Sequence, residues 1–94
     1  MDSPLDRLVL SAHILRVLAV AQRDERLLGL DDVVDALEVR RADVRACLSQ
    51  LHEEGLIDVL RMRLTLEGFA FGSALAQRRL RAIRQPARVA ARAA

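Results

Sequence analysis

Ninety-four residues make one domain with a single core, since a chain of this length buries roughly 60–70% of its unfolded surface and has no room for two catalytic domains. The apolar fraction of 52% excludes a disordered chain, and with Phe69 and Phe71 as the only aromatics the core has to come from Leu, Val, Ile and Ala, a composition suited to helices packed on one another. All 15 basic residues are Arg, and residues 78–94 hold six of them with no acid, which leaves nine against 13 acids: a mildly acidic body carries a strongly basic end.

The chain opens on a helix signal. Ser3 can cap, Pro4 stands where its missing N–H is harmless, and Asp6 faces the positive end of the helix dipole. The spacing predicts a first helix over residues 4–22. Leu5, Leu8, Val9, Leu10, Ile14, Leu15, Val17, Leu18 and Val20 make its apolar surface wider than one buried stripe requires. In so small a domain that surplus points to a second copy of the chain, so a homodimer is expected. Arg7, His13 and Arg16 interrupt the stretch far short of the roughly 20 apolar residues of a membrane span, and no membrane partner is expected.

Residues 22–26 form a polar break before a short second helix, which starts at Gly29 and ends near Glu38 with Leu30, Val33, Val34 and Leu37 at helical spacing. A third helix begins around Arg40-Arg41-Ala42-Asp43, carries Val44, Cys47, Leu48 and Leu51 on one face, and stops at Gly55. The period then changes. Leu56-Ile57-Asp58-Val59-Leu60 and Met62-Arg63-Leu64-Thr65-Leu66 read as two short strands joined by a tight turn around Arg61. Glu67-Gly68 opens a last helix over about residues 67–85, with Phe69, Leu75, Leu80 and Ile83 available for packing. Pro86 ends it, and residues 86–94 read as a flexible Ala/Arg tail. Residues 1–85 are therefore expected to form the domain, mainly helical with one small β-hairpin.

Leu30-Asp31-Asp32-Val33-Val34-Asp35-Ala36-Leu37 followed by Val39, then Val44, Leu48 and Leu51, then Glu53-Glu54-Gly55-Leu56-Ile57, and finally Arg63-Leu64-Thr65-Leu66-Glu67-Gly68 form a series with a known likeness. It resembles the winged helix-turn-helix domain of the MarR and PadR groups of bacterial transcription regulators, with additional helices at both ends. The likeness puts the helix-turn-helix at about residues 30–54 and the wing at about 56–66. It implies that the third helix lies in the DNA major groove and that the wing touches phosphate or the minor groove. Carried onto this chain, Arg40, Arg41, Ala42, Arg45, Ala46 and Ser49 form the exposed face of the recognition helix, and Arg61 and Arg63 belong to the wing. A guanidinium fork can bridge two acceptors on guanine or grip a phosphate. Arg41 and Arg45 share a helix face and are the leading pair of base-reading candidates. Arg88 and Arg92 in the tail are candidate phosphate contacts.

The sequence departs from that pattern at the turn glycine, replaced by Glu38, at the Ser or Thr cap of the recognition helix, replaced by Arg40, and in a wing about two residues short. Residues 38–54 also set Arg40, Arg41 and Arg45 against Glu38, Asp43, Glu53 and Glu54, whereas strong nonspecific DNA affinity needs several neutralised phosphates.

Reactive side chains are few. Cys47 falls beside Val44 and Leu48 with no activating cation, which reads as a small buried apolar residue ahead of a redox switch. It also excludes an internal disulfide, and with no charged-apolar-small leader at Met1 the expectation is a cytoplasmic protein. His52 is five residues from Cys47 and points elsewhere on the helix, and His13 stands alone, so neither metal nor cofactor is expected. No nucleophile has a base, no glycine loop cradles phosphate, and Asp31-Asp32 and Glu53-Glu54 split across helix surfaces, so no enzyme is expected. The leading expectation is a sequence-specific duplex-DNA-binding transcriptional regulator, homodimeric through its N- and C-terminal helices. The alternative is a winged-helix protein–protein interaction module, an adaptor in a larger assembly. An effector, if one exists, is expected between the end helices and the middle of the chain.

Overall fold

Asp6 starts the first helix. In the computed structural model, which describes residues 6–83, its carboxylate accepts from the N–H groups of Leu8 and Val9 at 3.0 and 3.2 Å. The element order is α1 (Arg7–Arg23), α2 (Leu30–Leu37), α3 (Arg41–Glu53), β1 (Ile57–Asp58), β2 (Arg63–Leu64) and α4 (Leu66–Ala76). The expected cap, Ser3, and Pro4 lie outside the described residues, as do Arg88 and Arg92.

One broad side of α1 is covered within the chain. Leu10, Ile14, Leu15, Leu18, Ala19 and Ala21 are all buried, because α3, α4 and the hairpin pack around this one helix. Val9, Val17 and Val20 of the same helix are half-buried, and Leu8 is exposed. Gln22 joins the hairpin to the same helix, its Oε1 accepting from Leu64 N–H at 3.2 Å.

Gly29 begins α2, and its N–H donates to the Asp32 carboxylate at 2.8 Å. Glu38 turns the chain out of α2 in the left-handed region, at φ 55 and ψ 48, a conformation that suits glycine. Arg40 precedes α3 in extended conformation and its side chain makes no capping bond to the backbone. Val44, Cys47, Leu48 and Leu51 are buried, so the predicted stripe of α3 faces the core. Gly55, at φ 77, ends this helix, with its own N–H on the His52 carbonyl and Leu56 N–H on the Leu51 carbonyl, both at 3.0 Å.

The hairpin is shorter than its apolar pattern predicts. Antiparallel pairing joins Ile57 to Leu64 and Asp58 to Arg63. The flanking residues have other partners. Asp58 closes the turn by accepting from Leu60 N–H at its carboxylate and from Arg61 N–H at its carbonyl, and Met62 adopts φ 52. On the far side, Thr65 leaves the strand to cap α4: its hydroxyl accepts from Gly68 N–H at 3.1 Å and donates to the Gly55 carbonyl at 2.7 Å.

The last helix starts at Leu66 and ends at Ala76, not at residue 85 as its sequence predicts. Residues 78–83 are nonhelical and return to α1, where the Arg81 carbonyl accepts from His13 Nε2 at 2.7 Å and the Ile83 carbonyl accepts from Asp6 N–H at 3.3 Å. Extended chain advances about twice as far per residue as helix, so a short segment reaches the start of α1 and brings Ile83 onto the core. Gly68 and Gly72 set how closely α4 approaches. A Cβ at Gly72 would lie 2.4 Å from the Leu15 carbonyl oxygen, and one at Gly68 would lie 1.8 Å from that of Leu56. Phe69 packs against the core, whereas Phe71 is on the outer side. No helix among the described residues is long and apolar enough to cross a membrane.

Candidate nucleic-acid interface

Burial of the Val44, Cys47, Leu48 and Leu51 stripe obliges the opposite side of α3 to face outward. Arg40, Arg41, Ala42, Arg45 and Ser49 are exposed there, and Ala46 is half-buried at the margin. Arg61 and Arg63 of the hairpin are also exposed. The two elements share a groove of about 270 Å³, with Arg45, Leu48 and Ser49 on the α3 wall, Val59 and Met62 on the hairpin wall, and Leu30 at its α2 end.

The five arginines of this surface differ in their surroundings. Asp43 is buried, at 4% exposure, and its carboxylate takes Arg40 Nε at 3.1 Å and Arg7 Nη2 at 3.5 Å. Arg41 is ion-paired with Asp31 of α2. Arg61 Nε lies 3.8 Å from the Asp58 carboxylate. Among the described residues, Arg45 and Arg63 have no carboxylate within ion-pair distance. Arg41 and Arg45, one face by spacing, are therefore chemically unlike: the first is partly neutralised and the second is open.

The Asp31 to Arg41 pair crosses between helices, so no local spacing rule announces it. The Arg40 to Asp43 pair follows i,i+3 spacing, a signal the sequence analysis did not use. Cys47 is buried, with Sγ 3.7 Å from the Arg7 carbonyl. His52 holds the start of the hairpin, its Nδ1 at 3.1 Å from the Ile57 carbonyl. His13 Nδ1 lies 3.3 Å from Arg16 Nη2, so with Nε2 donating to Arg81 both ring nitrogens are occupied. No group of three or more His, Cys, Asp or Glu among the described residues is placed to hold a metal.

Two other surfaces stand apart from the arginine face. A hollow of about 400 Å³ lies between α1, the α2–α3 turn and the returning segment, lined by His13, Ala36, Leu37, Glu38, Val39 and Ile83. On the outer side of α4, Ala70, Phe71 and Ala74 form a shallow apolar surface, and Leu66 is 83% exposed at the start of the same helix. Comparison of the chain with protein-family models, with curated proteins and with solved structures finds no match.

Proposed function

We propose that the chain is a winged helix that binds duplex DNA sequence-specifically as a homodimeric transcriptional regulator. The observation that carries this reading is the shared groove: the exposed side of α3, with Arg45, opens onto the same concavity as the hairpin that bears Arg61 and Arg63. In this reading α3 enters the major groove, and the Arg45 fork donates to O6 and N7 of one guanine. Arg40 and Arg41, at the start of α3, approach phosphate with the positive end of the helix dipole behind them. Arg63 and Arg61 grip the backbone from the hairpin side. Arg88 and Arg92 add phosphate contacts from the basic end of the chain. The α4 outer face, with Leu66 and Phe71, supplies the contact to the second copy.

Fluorescence anisotropy with a labelled mixed-sequence duplex over a range of salt concentrations tests the charge, and selection from a random pool then tests the specificity. Binding that weakens steeply with salt is expected, and Arg63→Ala lowers the salt slope by about 1. Arg45→Ala costs about 1–3 kcal/mol of discrimination at one base pair and leaves the slope for nonspecific duplex nearly intact. Absence of duplex binding at low salt overturns the reading. The pairing of Arg40, Arg41 and Arg61 with carboxylates favours the second reading, an interaction module that binds protein and no specific DNA. That reading predicts no effect of Arg45→Ala on duplex.

A further inference from the structure

Arg63 lines a hollow distinct from the α3 groove, of about 320 Å³, walled by Gln22, Glu25, Arg26, Leu27 and Arg63. Its two cations come from separate elements. Arg26 follows the end of α1, where Glu25 takes the left-handed conformation at φ 59. There Glu25 N–H donates to the Gln22 carbonyl at 3.1 Å and Arg26 N–H to the Ala21 carbonyl at 2.8 Å. This double closure fixes the backbone of Arg26 against the last turn of the helix. Arg63 is held in β2 by its pairing with Asp58. Gln22 links the two sides, because its Oε1 accepts from Leu64 N–H at 3.2 Å. Only the oxygen of an amide can accept, so that bond settles the orientation of the group and leaves the Nε2 donors for a second partner.

Among the described residues neither Arg26 nor Arg63 has a carboxylate within ion-pair distance, Glu25 included. Two like charges lining one hollow repel each other, and an anion placed between them reverses that repulsion while taking the donors of both forks. We infer that this hollow binds a small phosphate monoester. At neutral pH a monoester is close to a dianion with three terminal oxygens, which matches two guanidinium groups in charge and in acceptors. A carboxylate or a phosphodiester brings a single charge. The volume leaves room beside the phosphate for a short organic group, and Leu27, 79% exposed, gives that group an apolar wall. Glu25 is the carboxylate of this lining and opposes an anion, so it holds the affinity down. The inference stands apart from the DNA-binding reading and adds a regulation to it: both claim Arg63, so ester and duplex compete.

The test titrates the full chain with glycerol 3-phosphate at constant ionic strength and follows the backbone amide shifts by NMR. Saturable shifts are expected at Arg26, Leu27, Arg63 and Leu64. Arg26→Ala and Arg63→Ala each weaken binding at least about ten-fold, and Glu25→Gln tightens it several-fold. Arg23→Ala removes an exposed cation of α1 outside the hollow and leaves binding unchanged. Dimethyl phosphate, a monoanionic mimic of the nucleic-acid backbone, binds at least about ten-fold more weakly than the ester. Because the Arg26 and Arg63 side chains are exposed, their variants keep the wild-type far-ultraviolet dichroism. Absence of saturation at millimolar ester overturns the inference, as does equal weakening by Arg23→Ala, which would mark diffuse attraction to a basic surface. Equal binding of dimethyl phosphate also overturns it, because the hollow would then be a contact for backbone phosphate. A chain that binds the ester in this pattern but no duplex keeps this inference and loses the DNA reading.

Discussion

Glu38 occupies a backbone conformation that an L side chain adopts only under strain, and nothing in its hydrogen bonding repays it: its N–H simply finishes α2 on the Val34 carbonyl. Glu38→Gly is expected to stabilise the chain by about 1 kcal/mol, read as a higher urea midpoint, because the left-handed penalty disappears. A lower midpoint would show that the Glu38 side chain contributes more than its conformation costs. Asp43 has the opposite character. It is a buried carboxylate at the start of α3, held by two guanidinium groups that are themselves largely exposed, so its ion pairs are screened while its burial is not. Asp43→Ala is expected to cost about 1–3 kcal/mol, and Asp43→Asn less, since an amide oxygen can still accept from Arg40. Equal midpoints for Asp43→Ala and wild type would show that the buried acid contributes nothing to the fold.

At the scale of elements, α4 depends on having no side chain at two positions, Gly72 against α1 and Gly68 against Leu56. An alanine in a helix is ordinarily favoured over glycine by about 1 kcal/mol. Gly72→Ala reverses that sign, because the new methyl meets the Leu15 carbonyl and the Ala19 side chain, neither of which can rotate away. The expected result is a net loss of about 1–3 kcal/mol in urea unfolding, with Gly68→Ala more severe because its methyl would come closer to backbone, at the Leu56 carbonyl. A gain in stability at Gly72 would mean that α4 slides on α1 without penalty. Beyond the end of α4, His13 and Asp6 take the carbonyls of Arg81 and Ile83, so the chain after Ala76 is held to α1 and not to its own helix.

Across the whole molecule, α4 turns Leu66 and Phe71 outward, and there the proposal places the second copy. The proposed dimer is expected to sediment as such at micromolar concentration, and Phe71→Arg is expected to give a monomer with unchanged far-ultraviolet dichroism, because Phe71 is 58% exposed in the single chain. A wild-type monomer would remove the dimer from the proposal and leave the groove between α3 and the hairpin to act alone. The electrostatics of that groove also belong to this scale. Arg41 meets its acid from another helix, so the open charge of the α3 surface is set by how α2 and α3 pack, and within the groove it falls on Arg45.

Local chemistry made much of the fold readable. Period 3.6 at Leu30, Val33 and Leu37 and at Val44, Cys47, Leu48 and Leu51 placed α2 and α3, Gly55 ended α3, and the outward arginines of α3 followed from the opposite stripe. The hairpin was legible in position and too long in extent, since its apolar alternation continues into residues that Asp58 and Thr65 hold for a turn and a cap. The rest needed contacts between distant residues. Burial of Leu10, Ile14, Leu15 and Leu18 of α1, the glycine contact with α4, the return of residues 78–83 to His13, and the Asp31 partner of Arg41 all join different elements of the chain. Hydrophobic periodicity says which face of an element is buried, but it carries no information about which other element does the burying, and that choice is made only when the helices pack.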